Sequence, residues 1–180
     1  SGFALAQNFA VGQVFLPQDA EKARECIEIV NEELTKETLG IAAWRDVPTN
    51  PSVLGEIALA EMPQIKQVFV NAPSGWRVVD LQRRLFVARR RMEKRIEYPD
   101  FYICSLSNQT VVYKGLCMPK DLPKFYLDLA DLRMQSAICL FHQRFSTNTQ
   151  PKWKLAHPFR YLAHNGEINT ISGNRAWARA

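Results

Sequence analysis

The run Phe9-Ala-Val-Gly-Gln-Val-Phe-Leu16 carries apolar side chains at both parities of an alternating strand. Successive side chains of a strand point to opposite faces, so this pattern is tolerated only where both faces are covered. The run therefore predicts a strand buried between two layers. With 180 residues and 47% hydrophobic composition, the chain can build such a core without a metal or disulfide staple.

Pro17 and Asp19 announce a helix after that strand, with Ala20, Ala23, Ile27, Val30 and Leu34 at helical spacing and Gly40 as the stop. Strands are predicted at 41–44 and 65–70, a short helix near 54–60, and a turn at Ala72-Pro73-Ser74-Gly75. The longest helix is predicted at 79–96, where Leu81, Leu85, Ala88, Met92 and Ile96 form one stripe. The segments 101–106 and 110–113 flank Ser107-Asn108-Gln109 as a hairpin. Further strands are predicted at 136–146 and 160–164, then a helix from Ile168 onward. Adjacent strands with helices before and after them imply an α+β class.

The 79–96 helix is crowded with arginines, among them Arg83, Arg84, Arg90 and Arg91. Clustered guanidiniums attract phosphates, but no nucleic-acid motif or aromatic interleaving accompanies them, so the helix reads as a solvated outer face. The net charge of +5 is too small to argue for a nucleic-acid or membrane partner. Cys26, Cys104, Cys117 and Cys139 match neither ligand nor redox spacing and read as buried thiols in a reducing compartment. His142, His157 and His164, even with Glu167, match no common metal site. No apolar run is long enough to span a bilayer and no cleavable leader is read. A soluble, cytoplasmic protein is expected, or a plastid one in a photosynthetic eukaryote.

Chemistry concentrates in the last quarter. The apolar run Ala137-Ile-Cys-Leu-Phe141 turns abruptly into His142-Gln-Arg-Phe-Ser-Thr-Asn-Thr149. Arg144 has the planar fork that holds a carboxylate through both oxygens, although a structural salt bridge would use the same fork. Asn165-Gly166, in the run Tyr161-Leu-Ala-His-Asn-Gly-Glu-Ile-Asn-Thr170, offers a side-chain amide and a free backbone N–H to a developing oxyanion. Asn-Gly is equally a common hairpin turn.

Together with Pro151-Lys-Trp-Lys-Leu-Ala-His-Pro-Phe-Arg160 and Gly173-Asn174, these runs resemble the class II glutamine amidotransferase domain of glutamate synthase. A thinner similarity extends upstream through 11–17, Trp44-Arg-Asp-Val-Pro48 and the basic helix. The resemblance implies a four-layer αββα sandwich of the N-terminal-nucleophile hydrolase type, here as an internal part of one domain cut at both ends. It implies hydrolysis of glutamine by an N-terminal cysteine, with the ammonia channelled to a synthase region that makes glutamate from 2-oxoglutarate. On these motifs Arg144 and Thr147 would hold glutamine, and Asn165 and Gly166 would form the oxyanion hole. His142, His157 and His164 would support the pocket.

The nucleophile is absent from these 180 residues, and Ser1 reads as a boundary rather than a substitute, so the isolated chain is expected to be inactive. No cofactor or metal is expected in this segment; FMN and an iron–sulfur cluster are expected in the full-length enzyme. The implied partners are glutamine, the synthase region of the same polypeptide, and a small subunit or ferredoxin. The alternatives are the glutaminase half of another class II amidotransferase, or a non-catalytic truncated module.

Overall fold

The computed structural model describes residues 3–143, 150–156 and 172–179. Strand β1 (Phe9–Leu16) lies inside an antiparallel sheet of order β2-β3-β1-β4, with β2 at Gly40–Asp46, β3 at Gln64–Asn71 and β4 at Tyr102–Ser107. It bonds to β3 along its whole length on one edge and to β4 from Val11 to Phe15 on the other, with a register shift between Gln13 and Val14. Both its faces are covered, as its doubly apolar pattern predicts. Ala10, Val14 and Leu16 enter one core, and Phe15 enters another. Gly12 is required for the strand contacts themselves. A Cβ there would lie 2.7 Å from Val68 Cγ1 and 3.0 Å from Leu106 Cδ1, the two residues paired with it across the sheet.

Helices α1 (Ala20–Lys36) and α3 (Val78–Arg95) cover the first face. Asp19 caps α1 by accepting the Lys22 N–H at 2.9 Å, which satisfies one of the open donors of the first turn. In α3 the predicted stripe is the buried face, with Leu81, Leu85, Ala88 and Met92 enclosed and Ile96 just beyond its end. Each of the larger side chains, Leu81, Leu85 and Met92, contributes about 1.5–3 kcal/mol by leaving water. The stripe of α1 is rotated from the predicted one. Ala20 is exposed and Ile27 half-buried, while Cys26 and Glu33 join Ala23, Val30 and Leu34 inside. The helix also ends without glycine: Thr38 takes the left-handed conformation at φ 61°, and Gly40 opens β2 instead.

Glu33 and Glu37 are buried carboxylates on α1, and they explain the arginines of α3. Arg84 and Arg91 bond to Glu37 at 2.9 and 2.5 Å; Lys36 and Arg95 bond to Glu33 at 2.6 and 2.5 Å. The basic helix is therefore less a solvated face than a clamp over the acidic side of α1. Burial pushes the Glu33 carboxyl upward, but hydrogen bonds from Lys36 and Arg95 outweigh it and lower its pKa.

The second face is covered by short pieces. Turns of 3-10 helix at Pro51–Val53, Leu127–Ala130 and Trp153–Leu155, with α2 (Glu56–Ala60) and α4 (Leu122–Phe125), surround Phe15, Val47, Ile65 and Cys104. Phe125, Tyr126 and Trp153 plug this core. The loop after β2 is sewn to it by Asn50 N–H donating to the Phe125 carbonyl at 2.8 Å and Leu127 N–H to Pro48 at 3.1 Å. A short helix α5 spans Ser172–Trp177. Helices and an antiparallel sheet make the chain α+β.

Three expectations are corrected. The hairpin at 101–113 does not form a second strand after β4. The buried Ser105 hydroxyl accepts the Val112 N–H, and Ser107 accepts those of Gln109 and Thr110, so side chains take the donors a ladder would use. The segment 136–143, predicted as strand, is irregular, with Ile138, Leu140 and Phe141 exposed. The thiols are not uniformly buried: Cys26 and Cys104 are, Cys117 is half-buried and Cys139 is exposed. The strand expected at 160–164 lies outside the described residues.

Two measurements check this packing. Trp153→Ala should lower stability by about 3–5 kcal/mol in urea unfolding, because it empties the plug of the second core. Because the Glu33 pKa is lowered, its contribution is present above its ordinary value of 4.5 and is lost as pH falls through the lower folded value. Glu33→Gln should therefore flatten the acid side of the Tm–pH curve, and an unchanged acid limb would contradict the assignment.

Candidate active site

Of the residues the motifs single out, His142 is described: it is exposed, at the end of the irregular stretch that follows Asp131. Arg144, Thr147, His157, His164, Asn165 and Gly166 lie outside the described residues, so their mutual arrangement is not part of the geometry below. The structure does show what fixes the segment between the two motif runs. Trp153 packs edge-on to Phe15, with ring centroids 5.8 Å apart, and tilted on Phe125 at 5.6 Å. Its indole N–H donates to the Ala58 carbonyl at 2.9 Å.

The neighbouring backbone is held from two sides. The Lys114 Nζ donates to the Lys154 carbonyl at 2.9 Å, and the Lys154 Nζ donates to Pro99 at 2.7 Å. Gly115 leaves room for the indole, since a Cβ there would stand 3.2 Å from Trp153 Cζ3. Lys114 is itself buried and lies 4.2 Å from the Tyr102 ring centroid. The chain carrying the motif runs is thus pinned to the sheet at its middle.

A polar row crosses the second face of the sheet. Strand register aligns Arg45 of β2 with Gln67 of β3, Gln67 with Gln13 of β1, and Gln13 with Ser105 of β4. Arg45 Nε donates to Gln67 Oε1 at 2.7 Å, and Gln67 Nε2 donates to Gln13 Oε1 at 2.7 Å. Asp128 closes the row from above, forming an ion pair with Arg45 and accepting the Tyr113 hydroxyl at 2.8 Å. Burial first, and then the bond to Asp128, push the Tyr113 phenol up to about 12.

This row is chemically quiet. Tyr113 stays neutral, the charge of Arg45 is matched by Asp128, and both glutamines are enclosed. It can hold strands in register, but it offers neither a base nor an open anion clamp. Reading the sequence from the motifs outward misses it. The clue was present in Gln13, a lone amide inside a strand otherwise apolar on both faces, but its partners become visible only once register is known.

Cys26 and Cys117 are likewise unsuited to attack. Burial pushes Cys26 up to about 11 and also raises Cys117, the reverse of what an activated nucleophile needs. No group of three or more His, Cys, Asp or Glu side chains placed to hold a metal occurs among the described residues. No described helix is long and apolar enough to cross a membrane.

The chain was compared with known proteins. The family model of the class-II glutamine amidotransferases matches residues 1–180. The glutamate synthase [NADPH] large chain of Azospirillum brasilense is 46% identical over 177 residues, 95% of this chain and 12% of that one. Ferredoxin-dependent glutamate synthase 2 of Synechocystis is 47% identical over 171 residues, 94% of this chain and 11% of that one. The chloroplastic ferredoxin-dependent enzyme of Spinacia oleracea is 44% identical over 174 residues, with 94% and 11% coverage. The chain therefore spans about an eighth or less of the length of these relatives. The match runs through the sheet, its two cores and the motif-bearing end alike, and on it the chain belongs to the class-II glutamine amidotransferases.

Proposed function

We propose that this chain is part of the ammonia-producing glutaminase region of a glutamate synthase, within a four-layer αββα domain. The observation that carries the reading is identity of 44–47% to glutamate synthases, sustained over nearly the whole chain rather than confined to a motif. The runs 142–149 and 162–170 then assign the roles. Arg144 grips the α-carboxylate of glutamine through two parallel charge-assisted bonds, with Thr147 beside it. His142 and His157 line the same pocket.

The nucleophile in this reading is a cysteine outside residues 1–180. Its thiolate attacks the side-chain carbonyl carbon of glutamine. The amide oxygen takes negative charge and is stabilised by the Asn165 side-chain amide and the Gly166 N–H. The C–N bond breaks as the nitrogen is protonated, ammonia leaves, and a glutamyl thioester remains. Water then attacks the thioester, releasing glutamate and the thiol. The raised pKa values of Cys26 and Cys117 support a nucleophile located elsewhere, and by this account the isolated 180-residue chain hydrolyses glutamine no faster than background.

The ammonia is used in the same full-length polypeptide, where 2-oxoglutarate becomes glutamate. FMN and an iron–sulfur cluster belong to that region; the thiols here, split between the two cores and the surface, are not a cluster-binding set. The relatives include both an NADPH enzyme and ferredoxin-dependent ones, so either a small subunit or ferredoxin is the electron-delivering partner. The compartment is the cytoplasm or a plastid.

Variants of the full-length enzyme test the roles. Arg144→Ala should raise KM for glutamine by about 10–100-fold through loss of charged hydrogen bonds. Asn165→Ala should lower glutamine-dependent kcat by about 10²–10³-fold. Both should leave synthesis from added ammonia intact. Equal loss of the ammonia-dependent and glutamine-dependent reactions would contradict the assignment.

A further inference from the structure

The outer face of α3 carries charge that the fold does not use up. Glu37 is shared between Arg84 and Arg91, Glu33 between Lys36 and Arg95, and Glu93 between Arg89 and Arg90. Glu37 meets two cations and leaves one in excess, whereas Arg95 also pairs with Glu32, so the cluster of Glu32, Glu33, Lys36 and Arg95 is balanced. Lys94 has no acidic partner among the described residues. Arg83, Val87, Arg90 and Lys94 recur at four-, three- and four-residue steps, on the side of α3 opposite Leu81, Leu85, Ala88 and Met92.

The surface is also shaped and partly apolar. A cleft of about 470 Å³ between α1 and α3 is lined by Glu33, Lys36, Arg91, Lys94 and Arg95. A second of about 510 Å³ adds Phe86 and Val87 and shares Arg91 and Lys94 with the first, so the two adjoin these side chains. Phe86 is 56% exposed, with the Arg89 guanidinium 5.3 Å from its ring centroid. An exposed aromatic ringed by arginines has the composition of a protein interface. A nucleic-acid backbone would have to pass the interleaved Glu32, Glu33 and Glu93, whereas a protein can place single carboxylates between them.

We infer that this face docks an acidic, apolar-tipped surface from the remainder of the same polypeptide, with carboxylates at Lys94 and Arg91 and an apolar side chain on Phe86. The inference rests on the reading of the chain as part of a longer enzyme, since it covers 12% or less of its relatives. A tethered partner meets the face at high effective concentration, so modest complementarity suffices.

Zero-length carbodiimide coupling of the full-length protein tests it. The reagent activates a carboxylate, the Lys94 amine displaces it, and an amide remains that peptide mass spectrometry can locate. The expected product joins Lys94 to an Asp or Glu of the same polypeptide outside residues 1–180. Its yield should fall about tenfold or more in Arg91→Glu, where like charges oppose each other. It should also fall in Phe86→Ser, while a circular dichroism melt shows both variants folded. Coupling only to Glu33 or Glu93, only between separate chains, or not at all would overturn the inference. Glutamine-dependent glutamate formation, measured on the same preparations, separates the two failures: an active enzyme without the cross-link discards the docking surface and leaves the functional reading standing.

Discussion

The fold is organised around one strand that is buried along most of its length, from Gly12 to Leu16. Strand β1 is hydrogen-bonded along both edges and covered on both faces. An unpaired backbone group there would cost about as much as a lost hydrogen bond, with no water to replace the partner. Its neighbours are therefore held against it, β3 in continuous register and β4 with one shift between Gln13 and Val14. The absence of a side chain at Gly12 lets Val68 and Leu106 close from either side, and the Gln13–Gln67 pair fixes which residues face each other. The helices on one face and the short covering turns on the other are two solutions to the same burial requirement.

The charged residues follow from that arrangement. Glu33 and Glu37 lie buried on α1, where an unpaired carboxylate would be costly, and the arginines of α3 supply the compensation. On the opposite face, Asp128 plays the same part for Arg45 and draws Tyr113 over the polar row. In both clusters the buried carboxylate or guanidinium is ion-paired, so each holds elements together rather than presenting a free base.

Much of the scaffold was legible in the residues. The bounds of β1 and the buried stripe of α3 follow directly from apolar periodicity, because each element buries the side chains its own repeat brings to one place. Where tertiary partners decide, local pattern misleads. Cys26 and Glu33 displaced Ala20 and Ile27 from the buried side of α1 because α3 brought arginines to meet the acid. Ser105 and Ser107 replaced a predicted hairpin ladder with side-chain bonds, and no periodicity announces that. The apolar run before His142 has the composition of a buried strand, but its backbone is irregular and Ile138, Leu140 and Phe141 are exposed. The roles expected of Arg144, Thr147, Asn165 and Gly166 rest on the order of the motif residues, and these positions lie outside the described residues. Their spatial assembly is not visible from that order alone.

The proposed function divides the glutamine site in two, with the motif residues of this chain receiving the substrate and a cysteine from elsewhere in the polypeptide attacking it. An electrophilic glutamine analogue that alkylates the attacking thiol tests this division most directly. With the full-length protein, the account predicts a single adduct on a cysteine outside residues 1–180, blocked by excess glutamine. A glutamine-protected adduct on Cys26, Cys104, Cys117 or Cys139 would contradict it.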